Sequence, residues 1–141
     1  MFSMGWRFQK EAVEMTGLSL SVGVEVADSL RNLSGAPVGL KWPNDLWCSD
    51  RKLGGILIDL NTASKPDTQA IVGIGINLQE PGLEHFDPGQ PVTDLASNVQ
   101  GELPSRISII AVVMTAVARS LDRFGQHLFG CDRERFNALD V

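Results

Sequence analysis

Cysteine and histidine are scarce in this 141-residue chain, two of each, and basic residues are outnumbered, twelve against seventeen acidic ones. With so little cysteine, and Cys48 set inside an apolar strand-like run, a disulfide framework is disfavoured and a reducing cytoplasm is the expected compartment. His85 falls in a loop and His127 on a late helix with no second ligand nearby, which speaks against a histidine metal site or general base. A net charge of −5 offers no footprint for the phosphate backbone of nucleic acid. No apolar run is long enough to span a bilayer, and the N-terminus lacks the basic, apolar and small-residue order of a signal peptide. What remains is an ordinary globular composition, 43% hydrophobic and 21% charged, with enough residues to bury one core without staples.

Residues 2–8, FSMGWRF, alternate large apolar and other side chains as a half-buried strand does. After Thr16, the residues Leu18, Val22, Val26, Leu30 and Leu33 recur at helical spacing until Gly35 and Pro37 stop the run. Short strands are predicted at 38–42, ended by Pro43, and at 46–48, with a tight polar turn at 49–51. Residues 52–60 read as a strand apolar on both faces, hence central in a sheet, and 70–78 as another strand apolar on both faces apart from its glycines, with a polar loop at 62–68 between them. A loop with Pro81 and Pro88 covers 80–90, and a short helix is expected at 93–99. Ser105 caps the longest helix, whose stripe is Ile110, Val113, Met114, Val117, Leu121, Phe124 and Leu128. A charged helical stretch from Cys131 runs to Asp140 and Val141 without a stop signal, and both ends of the chain read as continuing into something larger. Strands in adjacent groups joined by polar turns predict an α+β fold, a mixed and largely antiparallel sheet flanked by helices.

Chemistry concentrates in residues 41–60, KWPNDLWCSDRKLGGILIDL, and in the GIGIN run at 73–77. Lys41 and Lys52 supply ammonium groups for a carboxylate or phosphate, stronger in an apolar surround. Asn44 offers an amide donor and Asp45 a carboxylate suited to hydrated Mg²⁺. Strand alternation puts Gly73, Gly75 and Asn77 on one side and Ile74 and Ile76 on the other, so the glycine side is a bare floor ending in an amide. Gly54 and Gly55 suggest the same close approach one strand earlier. Plainer readings stand beside these: Pro43-Asn44-Asp45 is ordinary turn chemistry, Asp50-Arg51-Lys52 an ordinary hairpin tip, and the GIGIN glycines equally suit a helix packed close on the sheet. The residues themselves point to a small-molecule site.

The KWPND run, the K-x-x-G-I-L strand after it and the G-x-G-x-N run together closely resemble the catalytic domain of biotin protein ligases. The strand SMGWRF, the helix GLSLSVGVEVADSL, the segment VTDLAS and the two closing helices share in the resemblance, which covers essentially the whole chain. It implies a sheet-and-helix fold like that of class II aminoacyl-tRNA synthetases and a two-step reaction. Biotin and ATP give biotinyl-5′-AMP with Mg²⁺ sharing the phosphate charge, and a lysine of a biotin carboxyl carrier domain then takes the biotinyl group. By the same resemblance Lys52 would stabilise charge at the carboxylate and α-phosphate. Gly55, Leu57, Gly73 and Gly75 would line the biotin slot, Lys41, Asn44 and Asn77 would lie at the nucleotide, and Asp45 would partner Mg²⁺. The same resemblance allows two chains to pair through a sheet edge as a homodimer.

The departures are as informative. Residues 1–141 are read as a partial catalytic domain, without the glycine- and arginine-rich loop, the serine-threonine segment, the small C-terminal domain or the N-terminal winged helix found in that family. Weak or no activity is expected of this polypeptide alone. A lipoate or octanoyl transferase of related fold, and a noncatalytic interaction module derived from a ligase, are the alternatives.

Overall fold

The computed structural model describes residues 1–64, 67–79, 89–127 and 132–141. Five strands form one sheet: β1 (Phe2–Gln9), β2 (Val38–Lys41), β3 (Asp45–Cys48), β4 (Arg51–Ser64) and β5 (Asp67–Ile76). Their order is β1-β5-β4-β3-β2, and all four ladders are antiparallel. Among the described residues the parallel component amounts to two isolated bridges, Leu40 with Asp140 and Lys52 with Val92. Among the described residues three α-helices accompany the sheet, α1 (Leu18–Ser34), α2 (Arg106–His127) and α3 (Arg133–Leu139), with a 3-10 turn (Ala12–Met15) before α1. The expected α+β architecture is the observed one.

Local chemistry accounts for the boundaries. Gly35 closes α1 in the left-handed region, its N–H returning to the Arg31 carbonyl, where a Cβ would cost energy. Ser105 Oγ accepts the Ser108 N–H at 3.1 Å and so caps α2 as expected. Cys48 and Arg51 pair across a two-residue turn in which Ser49 and Asp50 both have positive φ, the backbone twist that suits a tight hairpin.

Helices α1 and α2 lie side by side on one face of the sheet. Val22, Val26 and Leu30 of α1 and Val113, Val117, Leu121 and Phe124 of α2 meet Leu46, Ile56, Val72 and Ile74, all essentially sealed from water. Fully burying each side chain of this size stabilises by about 1.5–3 kcal/mol. Ile110 and Met114, expected in the same stripe, are 40% and 43% exposed because the helix turns them past the edge of the sheet.

β4 is central, as predicted, and so is β5, yet neither is covered on both faces. Leu57 is 64% and Ile71 51% exposed, since the helices cover a single face and leave the other bare. The predicted polar loop at 62–68 is also shorter than expected. Asn61 pairs with Gln69 and Ser64 with Asp67, so both strands run on past the core as a polar hairpin. Residues 93–99 form a single turn instead of a helix: the Asp94 carboxylate accepts the Ser97 N–H at 2.8 Å, and Leu95 accepts the amides of Asn98 and Val99. Such side-chain bonding diverts a backbone from helix. Leu128, Cys131, His85 and most of the proline-containing loop lie outside the described residues.

Gly54 shows why one strand glycine is obligatory. A Cβ built there would sit 2.2 Å from the Gly75 carbonyl oxygen, which is backbone and has nowhere to go. Gly54→Ala is therefore expected to lower stability by about 3 kcal/mol or to prevent folding, because β4 and β5 must part. Thermal unfolding followed by circular dichroism checks this, and an unchanged midpoint would count against the register.

A charge network that sequence reading did not anticipate closes the helical layer. Glu25, buried in α1, accepts Arg123 Nη1 at 2.8 Å and Arg135 Nη1 at 2.6 Å. Asp132, equally buried, accepts Arg123 Nη2 at 2.6 Å, and Arg135 Nη2 reaches Asp28 at 2.6 Å. The network ties α3 to both longer helices.

Candidate active site

On the face without helices, register brings the site residues together. Asp45 of β3 stands opposite Gly55 of β4, and Gly55 opposite Gly75 of β5. Leu57 stands opposite Gly73, which pairs in turn with Ser3 of β1. With strands about 4.8 Å apart, the row from Asp45 to Gly75 spans about 10 Å. A Cβ added at Gly75 would meet nothing within 4 Å, and one at Gly73 would meet only Leu57. Helix packing therefore does not explain these two glycines, since the helices lie on the other face. They leave bare backbone open to whatever lies on the sheet. Gly54 differs, its missing side chain serving strand contact.

One end of this floor is ionic. Lys52 Nζ lies 2.8 Å from Asp45 Oδ1, both side chains being partly exposed, and the aliphatic end of Lys52 and the Asp45 carboxylate stand over Gly55. The Lys52 backbone is fixed from outside the sheet as well. Its N–H donates to the Pro91 carbonyl and its carbonyl accepts the Thr93 N–H, both at 2.9 Å. A register shift between Leu46 and Trp47 then aligns Lys52 with Trp47 instead of a residue further along. The bulge and the brace at 91–93 had no legible counterpart in the sequence beyond the VTDLAS segment.

The remaining candidates have internal partners. Lys41 stands directly opposite Asp45 and places its ammonium 3.8 Å from the centre of the Trp47 ring, a cation–π contact beside the ion pair, since Trp47 in turn pairs with Lys52. Asn44 locks the turn after β2: its Nδ2 donates to the Ile56 carbonyl at 2.7 Å while its own carbonyl accepts the Ile56 N–H. Asn77, on the same side as Gly73 and Gly75 by alternation, donates from Nδ2 to the Thr93 carbonyl at 3.0 Å and so anchors the 91–96 segment. A carboxamide has two N–H groups and an oxygen, so each keeps capacity for a ligand. The Trp42–Pro43 peptide between these groups is cis, and Trp42 is 70% exposed.

A pocket of about 250 Å³ adjoins the floor where Leu57 and Asn44 meet Met15, Pro43 and Leu60. A pocket of about 270 Å³ lies on the helical side, between α2 and the ends of β1 and β5. It shares no residue with the Asp45–Lys52 pair and brings no acid together with a base. Burial pushes the Cys48 thiol above its ordinary value, which makes it a packing residue and a poor nucleophile. Among the described residues no group of three acidic, histidine or cysteine side chains converges as a metal cage. Nor is any helix of the described residues long and apolar enough to cross a membrane.

The glycine floor and the lysine–aspartate pair at its end thus share the uncovered face of an antiparallel sheet whose other face is backed by helices. Residues 2–77 match the model of the biotin/lipoate A/B protein ligase family, and the chain belongs to that family. It is 33% identical to the bifunctional ligase/repressor BirA of Escherichia coli K12 over 138 residues, which is 98% of this chain and 42% of that protein. Among solved structures it resembles the apo biotin protein ligase of Aquifex aeolicus, with a TM-score of 0.79, 24% identity, and coverage of 99% of this chain and 60% of that one. The same Aquifex enzyme in complex with biotin and ATP matches with a TM-score of 0.72 at 23% identity, over 99% of this chain and 57% of that one. The chain thus spans less than two thirds of the proteins it matches.

Proposed function

We propose that this chain carries the sheet floor of a biotin protein ligase, on which biotin is converted to biotinyl-5′-AMP and then passed to a lysine of a biotin carboxyl carrier domain. The observation that carries the reading is the row Asp45, Gly55, Gly75 with Lys52 at its end. A flat ring system can lie on Gly55, Gly73 and Gly75 beside Leu57, with its carboxylate toward the ammonium. In the first step a carboxylate oxygen of biotin bonds to the α-phosphorus of ATP, and the bond to the bridging oxygen breaks as pyrophosphate leaves. Lys52 donates to the carboxylate and α-phosphate oxygens, where negative charge gathers, and Asp45 holds it in place beforehand. In the second step the neutral amine of the acceptor lysine attacks the activated carbonyl, an amide forms, AMP departs and the amine proton passes to solvent.

Lys41, Asn44 and Asn77 would face the nucleotide. Asp45 would contribute one carboxylate to Mg²⁺, the number that fits an ion held mainly by phosphates and water, and the ion would share phosphate charge when bound. Among the described residues nothing pairs with the β3 side of β4 beyond Ile56, and residues 57–62 are the strand edge on which a carrier strand would add.

The test is calorimetric titration of the chain and of Gly75→Val with biotin and with biotinyl-5′-AMP. The added side chain has room in the fold and stands on the floor. The variant is expected to melt like the parent while binding both ligands about tenfold or more weakly, 1.4 kcal/mol at least. Unaltered affinity in Gly75→Val, or no binding by the parent chain, would remove the floor as the ligand site.

A further inference from the structure

The C-terminal helix reaches the site through the turn after β2. Phe136 of α3, together with Ser19, Leu20 and Gly23 of α1, lines one crevice with Lys41, Pro43, Asn44 and Asp45, so α3 joins α1 in backing the turn that bears three of the groups assigned to the ligand. Beyond α3 the chain continues against β2: Asp140 bridges Leu40, and the Val141 N–H donates to the Leu40 carbonyl at 3.0 Å. Gly39 is the residue that admits this strand-like tail, because a Cβ there would come within 2.5 Å of Val141 and 2.9 Å of the Leu139 carbonyl. The outer edge of β2 is thereby covered, and the position of the turn depends on where α3 sits.

Arg135 decides where it sits. Its guanidinium spans Glu25 and Asp28 on α1, each at 2.6 Å, and lies 3.3 Å from Asp132. A planar fork satisfied at several points fixes orientation in a way a single ammonium cannot. Neither Arg135 nor Phe136 lies on the sheet floor.

We propose that Arg135 and Phe136 are positioning residues: through α3 they hold the turn bearing Lys41, Asn44 and Asp45, and so set the nucleotide half of the site independently of the glycine floor. The ligand part of this proposal rests on the ligase reading above, whereas the mechanical part does not. Two measurements on the chain and on its Phe136→Ala and Arg135→Lys variants separate them. Hydrogen exchange at the Ile56 amide, which is bonded to the Asn44 carbonyl, reports the turn, and amides of β1 and β5 serve as internal reference. Titrations with biotin and with biotinyl-5′-AMP report the two halves of the site.

Phe136→Ala is expected to speed exchange at Ile56 about tenfold relative to the reference amides, and to weaken biotinyl-5′-AMP about tenfold with biotin held within about twofold. Arg135→Lys should fall between the parent and that variant. Uniform acceleration, or no change at Ile56, would overturn the proposal, and so would equal losses for the two ligands in a chain that binds both. If the parent binds neither ligand, the ligase reading fails, and the Ile56 comparison alone decides whether α3 holds the turn.

Discussion

Lys52→Ala is expected to weaken biotinyl-5′-AMP binding by about 100-fold, the largest loss of function that one side chain of this site can cause. The ammonium is partly buried at the end of the glycine floor, 2.8 Å from Asp45. A charge-assisted hydrogen bond of that kind to a phosphate is worth about 1.5–3 kcal/mol. Truncation costs more than the bond, because Asp45 is left unpaired and faces an anionic ligand. That second part can be isolated: the double variant Lys52→Ala with Asp45→Asn removes the orphaned carboxylate and is expected to recover about tenfold of the loss. Stability should scarcely move, since a partly exposed pair contributes about 0–1 kcal/mol. Titration calorimetry alongside thermal unfolding checks both statements. A Lys52→Ala chain that still binds the adenylate within about threefold of the parent would show that the ammonium does not read the ligand.

Much of this site was legible in the chain before its fold was known, for a reason that lies in strand geometry. Period-two alternation assigns Gly73, Gly75 and Asn77 to one side whatever the partner strands are, and the buried Ile74 on the opposite face agrees. The tight turn at Ser49 and Asp50 sets β3 against β4 and brings Asp45 near the two glycines of β4, but its own register would set Asp45 opposite Gly54, and only the bulge at Leu46 and Trp47 puts Gly55 there. What alternation cannot supply is which apolar face is covered. Leu57 and Ile71 looked as buriable as Ile56 and Val72, and only the placement of α1 and α2 distinguishes them. Nor could spacing separate Gly54, which a neighbouring carbonyl forbids to carry a side chain, from Gly75, which nothing touches. Asn44 and Asn77 were read as ligand groups, yet each spends one N–H on a backbone carbonyl across the fold. The Glu25 network was illegible for the opposite reason, since its members lie some hundred positions apart and meet only when three helices converge.

That network supplies the largest expected change in stability from a polar residue. Glu25 sits 6% exposed in the middle of α1 and faces Arg119, Arg123 and Arg135. Burial alone would raise its pKa, but hydrogen bonds from Arg135 and Arg123, with their charges, outweigh burial and hold the carboxyl below its ordinary value of 4.5. Glu25→Gln keeps the shape and removes the charge, leaving two guanidinium groups that are each about one-third exposed short of their shared partner. Breaking a fully buried pair costs about 3–5 kcal/mol, and the partial exposure of the arginines puts the expected loss near the lower end, about 3 kcal/mol. The sign of the pH dependence follows from the depressed folded pKa. The stabilisation is complete above the unfolded value near 4.5 and is lost as pH falls through the lower folded value. The gap between parent and Glu25→Gln should therefore be constant near neutrality and shrink only as pH falls below the ordinary carboxylate range. Urea unfolding of both chains across that range measures it. A gap that stays level down to the acid limit would mean that Glu25 acts through packing alone, whereas one that narrows from neutrality downward would assign the titration to a different group.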